Sequence, residues 1–263
     1  MTTIISWNVN GIRSVSQKGF FEWLKAASPS ALCVQETKAD PSQLGKEFFE
    51  ATDAEGRPYE TFWASAKRRG YSGVAIYTRV KPVDVRVLGV AEYDDEGRYL
   101  EADLGPYVLV SAYFPNSQDA GARIDYKIGF CESVMTRLDA LVAAGRHVVL
   151  CGDYNIAHTP IDLTYPKANE GNPGYLPEER AWMDRFLSSG YVDAFRRLHP
   201  DQPGLYTWWS YRMRAREKDI GWRIDYTCVN EACWPLVKNA AIHKDVMGSD
   251  HCPVSLDLDL AAN

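Results

Sequence analysis

Short runs of apolar, β-branched and aromatic residues recur along nearly the whole chain, each cut off by Gly, Pro, Asp or Asn. They constrain the fold more than anything else in it. "TIISWNV", "ALCVQET", "YETFWASA", "SGVAIYTR", "VDVRVLGV", "RYLEADL", "YVLVSAYF", "HVVLCGDYN", "YTWWSYR", "WRIDYTCV" and "CPVSLDLDL" all read as strands. "ALCVQ" and "HVVLCG" are apolar without alternation, the pattern of strands covered on both faces. Helical patterns fall at 18–27, 41–52, 122–143 and 178–189, with Pro177, Glu178 and Glu179 marking the start of the last. Many strands with few helices predict an α/β (α+β) sandwich, with sheets packed together and helices outside. No linker, repeat or low-complexity stretch divides the 263 residues, so a single domain over 1–263 is expected.

Composition removes several classes of function. There is no run of about 18 apolar residues, so no membrane span is expected. The start, "MTTIISWNV", has neither a basic segment nor a cleavage site, so no export is expected and a cytoplasmic location follows. The six cysteines are scattered without a CxxC pair, which suits buried thiols in a reduced compartment and argues against zinc. A net charge of −6 is a poor match for a non-specific coat on nucleic acid, but it leaves room for a local basic face.

Polar residues gather where the strands stop. "ISWNVNG" ends on Asn8 and Asn10, "LCVQETK" on Glu36, "VSAYFPN" on Tyr113 and Asn116, and "VVLCGDYN" on Asp153 and Asn155. "GWRIDY" places Asp225 in a strand, and "GSDHCPV" offers Asp250 and His251 before the last one. Each alone has a plainer reading: Asp after Gly is a turn or cap residue, Glu36 a solvated acid, Ser249 to His251 a polar turn. Six such ends in one chain form a pattern, because rigid strands aim side chains into a shared crevice. The set is rich in oxygen donors and has no Cys–His cluster and no G-x-S-x-G elbow, which favours a hard cation such as Mg²⁺. An acid to orient or deprotonate water, an amide to hold it and a His kept cationic by an Asp partner suit phosphodiester hydrolysis.

The ordered motifs "WNVNG", "QETK", "YFPN", "GDYNIAH", "GWRIDY" and "SDHCPV" resemble the exonuclease III family of AP endonucleases, within the DNase I-like phosphoesterases. The match runs from Trp7 to Val254, and "QETK", "GWRIDY" and "LPEER" (Leu176 to Arg180) point to the DNA-repair branch. The resemblance implies a four-layer sandwich: two mainly antiparallel sheets flanked by helices, with the site at one end. It implies Mg²⁺ as cofactor, with Mn²⁺ as a substitute, and a monomer acting on duplex DNA with abasic sites or blocked 3′ ends. Glu36 would be the main metal carboxylate, with Asn8, Asn10 and Asp250 close by. Asp153 would handle the nucleophilic water with Asn155 in support, both within reach of the metal. His251, oriented by Asp225, would contact the phosphate beside Tyr113. Asn10 stands where several relatives carry Asp, and Ser117-Gln118-Asp119 stands where some have a basic residue that enters the duplex.

A DNA face is expected in "YTWWSYRMRAREKDIGWR", which interleaves aromatics with Arg212, Arg214, Arg216, Lys218 and Arg223. Arg212 is the expected wedge. Arg69 and Tyr71 in a second basic stretch, together with Arg13, Asn116 and Arg123, complete that face. Trp208, Trp222 and Ile224 resemble the family's apolar pocket for a flipped-out abasic sugar. Trp209, on the opposite side of its strand, is expected in the core. His158 and Asp162 are expected to be structural, and His147, His199 and His243 are given no role.

The expected activity is cleavage 5′ to an abasic site, leaving a 3′-hydroxyl, with 3′→5′ exonuclease and 3′-phosphatase or phosphodiesterase activity in base excision repair. The rivals are an exonuclease/3′-phosphatase with little endonuclease activity, a lipid or inositol phosphodiesterase, and a nuclease-inactive nucleic-acid-binding regulator. The lipid reading leaves the aromatic–basic window unexplained, and the inactive reading leaves the retained acids unexplained.

Overall fold

The apolar runs pair into two six-stranded sheets. The structure is a computed structural model and describes residues 1–261. Its strands are β1 (Thr2–Asn8), β2 (Ala31–Gln35), β3 (Glu60–Ala64), β4 (Val74–Thr78), β5 (Asp84–Arg86), β6 (Tyr99–Asp103), β7 (Val108–Tyr113), β8 (Val148–Asp153), β9 (Tyr191–Asp193), β10 (Asp225–Asn230), β11 (Val237–Ile242) and β12 (Val254–Leu258). One sheet runs β11-β12-β1-β2-β4-β3 and the other β5-β6-β7-β8-β10-β9. The central pairs β1–β2 and β7–β8 are parallel, and the other pairings are antiparallel.

Three apolar layers result. Ile4, Cys33, Ile76, Leu109, Cys151 and Leu256 meet between the sheets. On the far side of the second sheet, Phe130, Val134 and Leu138 of helix Ile124–Ala143 pack with Trp182 and Phe186 of helix Pro177–Ser188. Ile12, Val15, Phe20 and Leu24, from helices Ile12–Ser16 and Phe20–Ala27, cover the first sheet. Layers on both sides explain why every residue of β2 and β8 is buried. All six cysteines are buried and free. Among the described residues no helix is long and apolar enough to cross a membrane.

Some expectations are corrected. The stretch 41–52 makes two single turns, Pro41–Gln43 and Lys46–Phe48, because Gly45 separates them and no apolar face spans both. "YTWWSYR" makes no strand: Trp208 pairs through its backbone with Trp222 and His251, and the chain then turns away. Two strands escaped the reading. β9 is only three residues long, and β11 is a half-exposed edge whose residues, "VKNAAI", are too polar to stand out.

Parallel pairing delivers strand ends to one edge. Asn8 lies opposite Gln35, and the pairing continues as Gly11 N–H donates to Glu36 O. In the other sheet, Tyr113, Asp153 and Asp225 align in one row across β7, β8 and β10. Gly152 answers to this row: a Cβ there would lie 1.8 Å from the Ala112 carbonyl oxygen, so only glycine lets β7 and β8 close.

Candidate active site

The two sheet ends face each other across a cavity of about 250 Å³. Its polar floor is Glu36, Tyr113, Asp153, Asn155, Asp250 and His251, and its apolar wall is Trp208, Trp222 and Ile224. Asn116, Pro173 and Gly174 close the rim.

Asn8 joins the two sheets at this point. Its Nδ2 donates to Glu36 Oε1 at 3.0 Å and to Asp153 Oδ2 at 2.8 Å. Its Oδ1 accepts the Asn10 N–H at 3.0 Å, which fixes the orientation of the amide. Asn10 Nδ2 donates to Asp250 Oδ1 at 2.9 Å, and Lys38 donates to Asn10 Oδ1. Through their amide nitrogens the two asparagines hold the three carboxylates in place. Lys38 Nζ also pairs with Glu36 Oε2 at 2.7 Å. "QETK" contained this lysine, but a basic residue among acids was read as part of a motif and given no contact.

Three of these residues adopt backbone conformations that side chains disfavour. Asn10, Glu36 and Asn155 have φ of 48°, 52° and 51°, in the left-handed region. Such strain concentrates where the surrounding structure over-determines it, as at functional sites. At Glu36 it turns the chain off β2 and swings the carboxylate over the cavity.

Charge is distributed unevenly. Burial works against ionisation of Asp153, which His251 favours; the Asp225 and Glu36 carboxylates add to the burial, and the group is raised to about 7. Glu36 is lowered: burial opposes its charge, but Lys38 and the Asn8 amide outweigh it. Asp250 is lowered too, since His251, Asn10 and Trp208 overcome its burial. Trp208 Nε1 donates to Asp250 Oδ2 at 3.1 Å. His251 Nδ1 lies 2.8 Å from Asp225 Oδ2, and its Nε2 lies 3.8 Å from Asp153 Oδ2. Burial disfavours the imidazolium, but Asp225 and Asp153 raise the group to about 10, so the ring is cationic at neutral pH. The Tyr113 phenol is pushed well above its usual range by burial and by Glu36 and Asp153.

The expected DNA face is only partly assembled. Arg13, Arg69, Asn116 and Arg212 are exposed, and of these Asn116 lines the cavity. Arg123 and Arg98 donate to the Tyr71 hydroxyl at 2.9 and 2.7 Å, which ties Tyr71 to the rim. Arg223 is a correction: it is 1% exposed and pairs with Asp162 at 2.7 Å and Asp193 at 2.8 Å, so it braces the fold and is withdrawn from DNA. Arg216 spans to the carbonyls of Lys244, Val246 and Ser249, holding the loop that presents Asp250 and His251. Beside Arg212, Met213 is 80% exposed at a left-handed position and forms the tip of the loop. Trp209 is buried, as its place opposite Trp208 implied.

Two acid-bearing sheet ends facing over an aromatic-walled cavity define a phosphoester-cleaving class. The chain belongs to the Endonuclease/Exonuclease/phosphatase family, whose description matches residues 5–251. Within it, the chain is 41% identical to an exodeoxyribonuclease of Bacillus subtilis (strain 168) over 98% of this chain and 99% of that protein. It is 40% identical to the DNA repair nuclease APEX1 of Danio rerio over 97% of this chain and 81% of that protein. The AP endonuclease LMAP from Leishmania major superposes with a TM-score of 0.86 at 28% identity, over 97% of this chain and 86% of that one. The resemblance read from the motifs holds: the chain is a DNA-repair nuclease of the exonuclease III type, in a family that works with a metal.

Proposed function

We propose that the chain hydrolyses the phosphodiester 5′ to an abasic site in duplex DNA and leaves a 3′-hydroxyl. The observation that carries this is the juxtaposition of the Glu36–Asp153–His251 cluster with the Trp208–Trp222 wall in one cavity. Ligand atoms of those three residues lie within 4.8 Å of one another. An apolar wall beside the reacting atoms suits a sugar that has no base to unstack.

The residues fit a hard divalent cation. Glu36 and Asp153 offer carboxylate oxygens that converge in the cavity, all within 4.8 Å of each other and of a His251 ring nitrogen. Glu36, with Asp250 nearby, would hold Mg²⁺ or Mn²⁺, which would neutralise charge on the phosphoryl and leaving oxygens. His251 is not a ligand in this reading, since Asp225 engages Nδ1 and keeps the ring protonated. Its Nε2–H faces the cavity as a donor to a phosphate oxygen. Asp153, poised near neutrality, accepts the proton of the attacking water, and the Asn155 carboxamide holds that water. Water oxygen bonds to phosphorus as its proton passes to Asp153, the P–O3′ bond breaks, and the departing 3′-oxygen takes a proton from solvent to become the hydroxyl. Tyr113, neutral, donates a hydrogen bond. Exposed Arg69 and Arg212 meet the DNA backbone on either side. In this reading the chain acts as one domain and as a monomer, in the cytosol, where buried free cysteines are at home.

The test is incubation with a labelled duplex carrying one tetrahydrofuran abasic analogue, with Mg²⁺ and then with EDTA. Mg²⁺-dependent incision 5′ to the analogue is expected. Trimming of 3′ ends without incision would move the activity to exonuclease or 3′-phosphatase, and inactivity on all DNA would overturn the assignment.

A further inference from the structure

Lys127 and Glu179 form an ion pair at 2.7 Å in which both side chains are wholly buried. Such a pair is a poor stabiliser, because apolar residues of the same volume usually serve as well or better. Its partners suggest another use. Lys127 Nζ donates to the main-chain oxygen of Asn155 at 2.6 Å. Glu179 Oε1 accepts the Ser117 hydroxyl, and Oε2 accepts the Leu176 N–H at 2.8 Å. One buried pair therefore grips three loops that border the cavity: the one carrying Asn116, the one carrying Asn155 and the one carrying Gly174.

Asn155 needs such a grip. Its left-handed backbone turns the carbonyl away from solvent, and Gly174 closes over it so tightly that a Cβ there would lie 3.2 Å from that oxygen. A buried carbonyl in this position requires a donor, and the Lys127 ammonium is that donor. The Asn155 side chain is then aimed by Nδ2 donating to Phe114 O at 3.0 Å and Oδ1 accepting from Asn116 at 3.2 Å.

We propose that Lys127 and Glu179 are positioning residues which act through Asn155, holding its carboxamide on the attacking water. This rests on the role given to Asn155 above. The experiment is a double-mutant cycle between Lys127→Met/Glu179→Gln, a neutral replacement of similar volume, and Asn155→Ala. Turnover and KM are measured for abasic duplex, with thermal melts to check folding. In the parent background the paired replacement is expected to lower kcat by about 10–100-fold, the range for residues that orient catalytic groups, with KM within about threefold. In the Asn155→Ala background it should lower kcat no further. An equal loss in both backgrounds, or parental kcat, overturns the positioning role. Parental kcat in Asn155→Ala alone overturns the reading of Asn155 itself, and the proposal with it. If the paired replacement does not fold, Glu179→Gln alone is carried through the same cycle and judged by the same outcomes.

Discussion

Replacing Asp153 by asparagine should make the metal-free protein more stable while nearly abolishing turnover. The Asp153 carboxyl is held at about 7 against an ordinary 3.8, mainly by burial. Above pH 7 the ionised folded form therefore carries a penalty of roughly 4 kcal/mol relative to the unfolded chain, at about 1.4 kcal/mol per pH unit. The penalty vanishes where both states are protonated, grows between about pH 4 and 7 as only the unfolded state ionises, and is constant above that. Asparagine removes it at a cost. Asp153 accepts from Asn155 N–H and from Asn8 Nδ2, both at 2.8 Å, and the new amide oxygen serves only one of them. Losing the other costs about 1–2 kcal/mol, leaving a net gain of roughly 2 kcal/mol and a Tm about 4–8 °C higher. Melts of both proteins in EDTA from pH 4 to 8 provide the assay. The difference should widen up to pH 7, and Mg²⁺ should narrow it by stabilising the parent. Turnover should fall at least about 10³-fold. A variant less stable than the parent at pH 8 in EDTA, or a difference that ignores pH, would refute the claim that burial penalises the Asp153 carboxylate.

Asp225→Asn should bring the His251 imidazole down from about 10 towards its ordinary value. The parent then holds stability at neutral pH that it loses as pH rises towards 10, and the variant does not; an NMR titration still centred near 10 would contradict this. Gly152→Ala should cost more than about 3 kcal/mol in urea unfolding, because its Cβ has no room beside Ala112. Arg69→Ala should reduce the slope of log affinity against log salt for duplex DNA by about 1, whatever the sequence; an unchanged slope would remove Arg69 from the DNA face.

The parts of the fold legible in the sequence were those with strong local pattern. "ALCVQ" and "HVVLCG" announced themselves because both faces of each strand are covered. β9 and β11 did not, since brevity and an exposed edge erase periodicity. In the site, strand-end acids could be found because an oily run ending on a carboxylate is conspicuous. Direction could not be read: nothing in "WNVNG" says that the Asn8 amide nitrogen, rather than its oxygen, faces Glu36 and Asp153. Arg223 misled for a related reason. Within a basic window it looked like its neighbours, but its partners Asp162 and Asp193 lie 61 and 30 positions away and met it only through folding. Lys127 lies inside a helix, and its partner Glu179 was read as a helix-start acid, a role it does play while also completing the pair.

The pairing of β1 with β12 brings the two ends of the chain's strand order together. Asn10 meets Asp250 across 240 residues, and the Trp7 indole bonds to the carbonyl of His251. In chain order every strand of the second sheet, with Asp153 and Asp225, precedes β12, the antiparallel partner of β1 in the first. His251, just before β12, is the last of the site's residues in chain order. The two halves of the site thus meet through a pairing between the first strand and the twelfth.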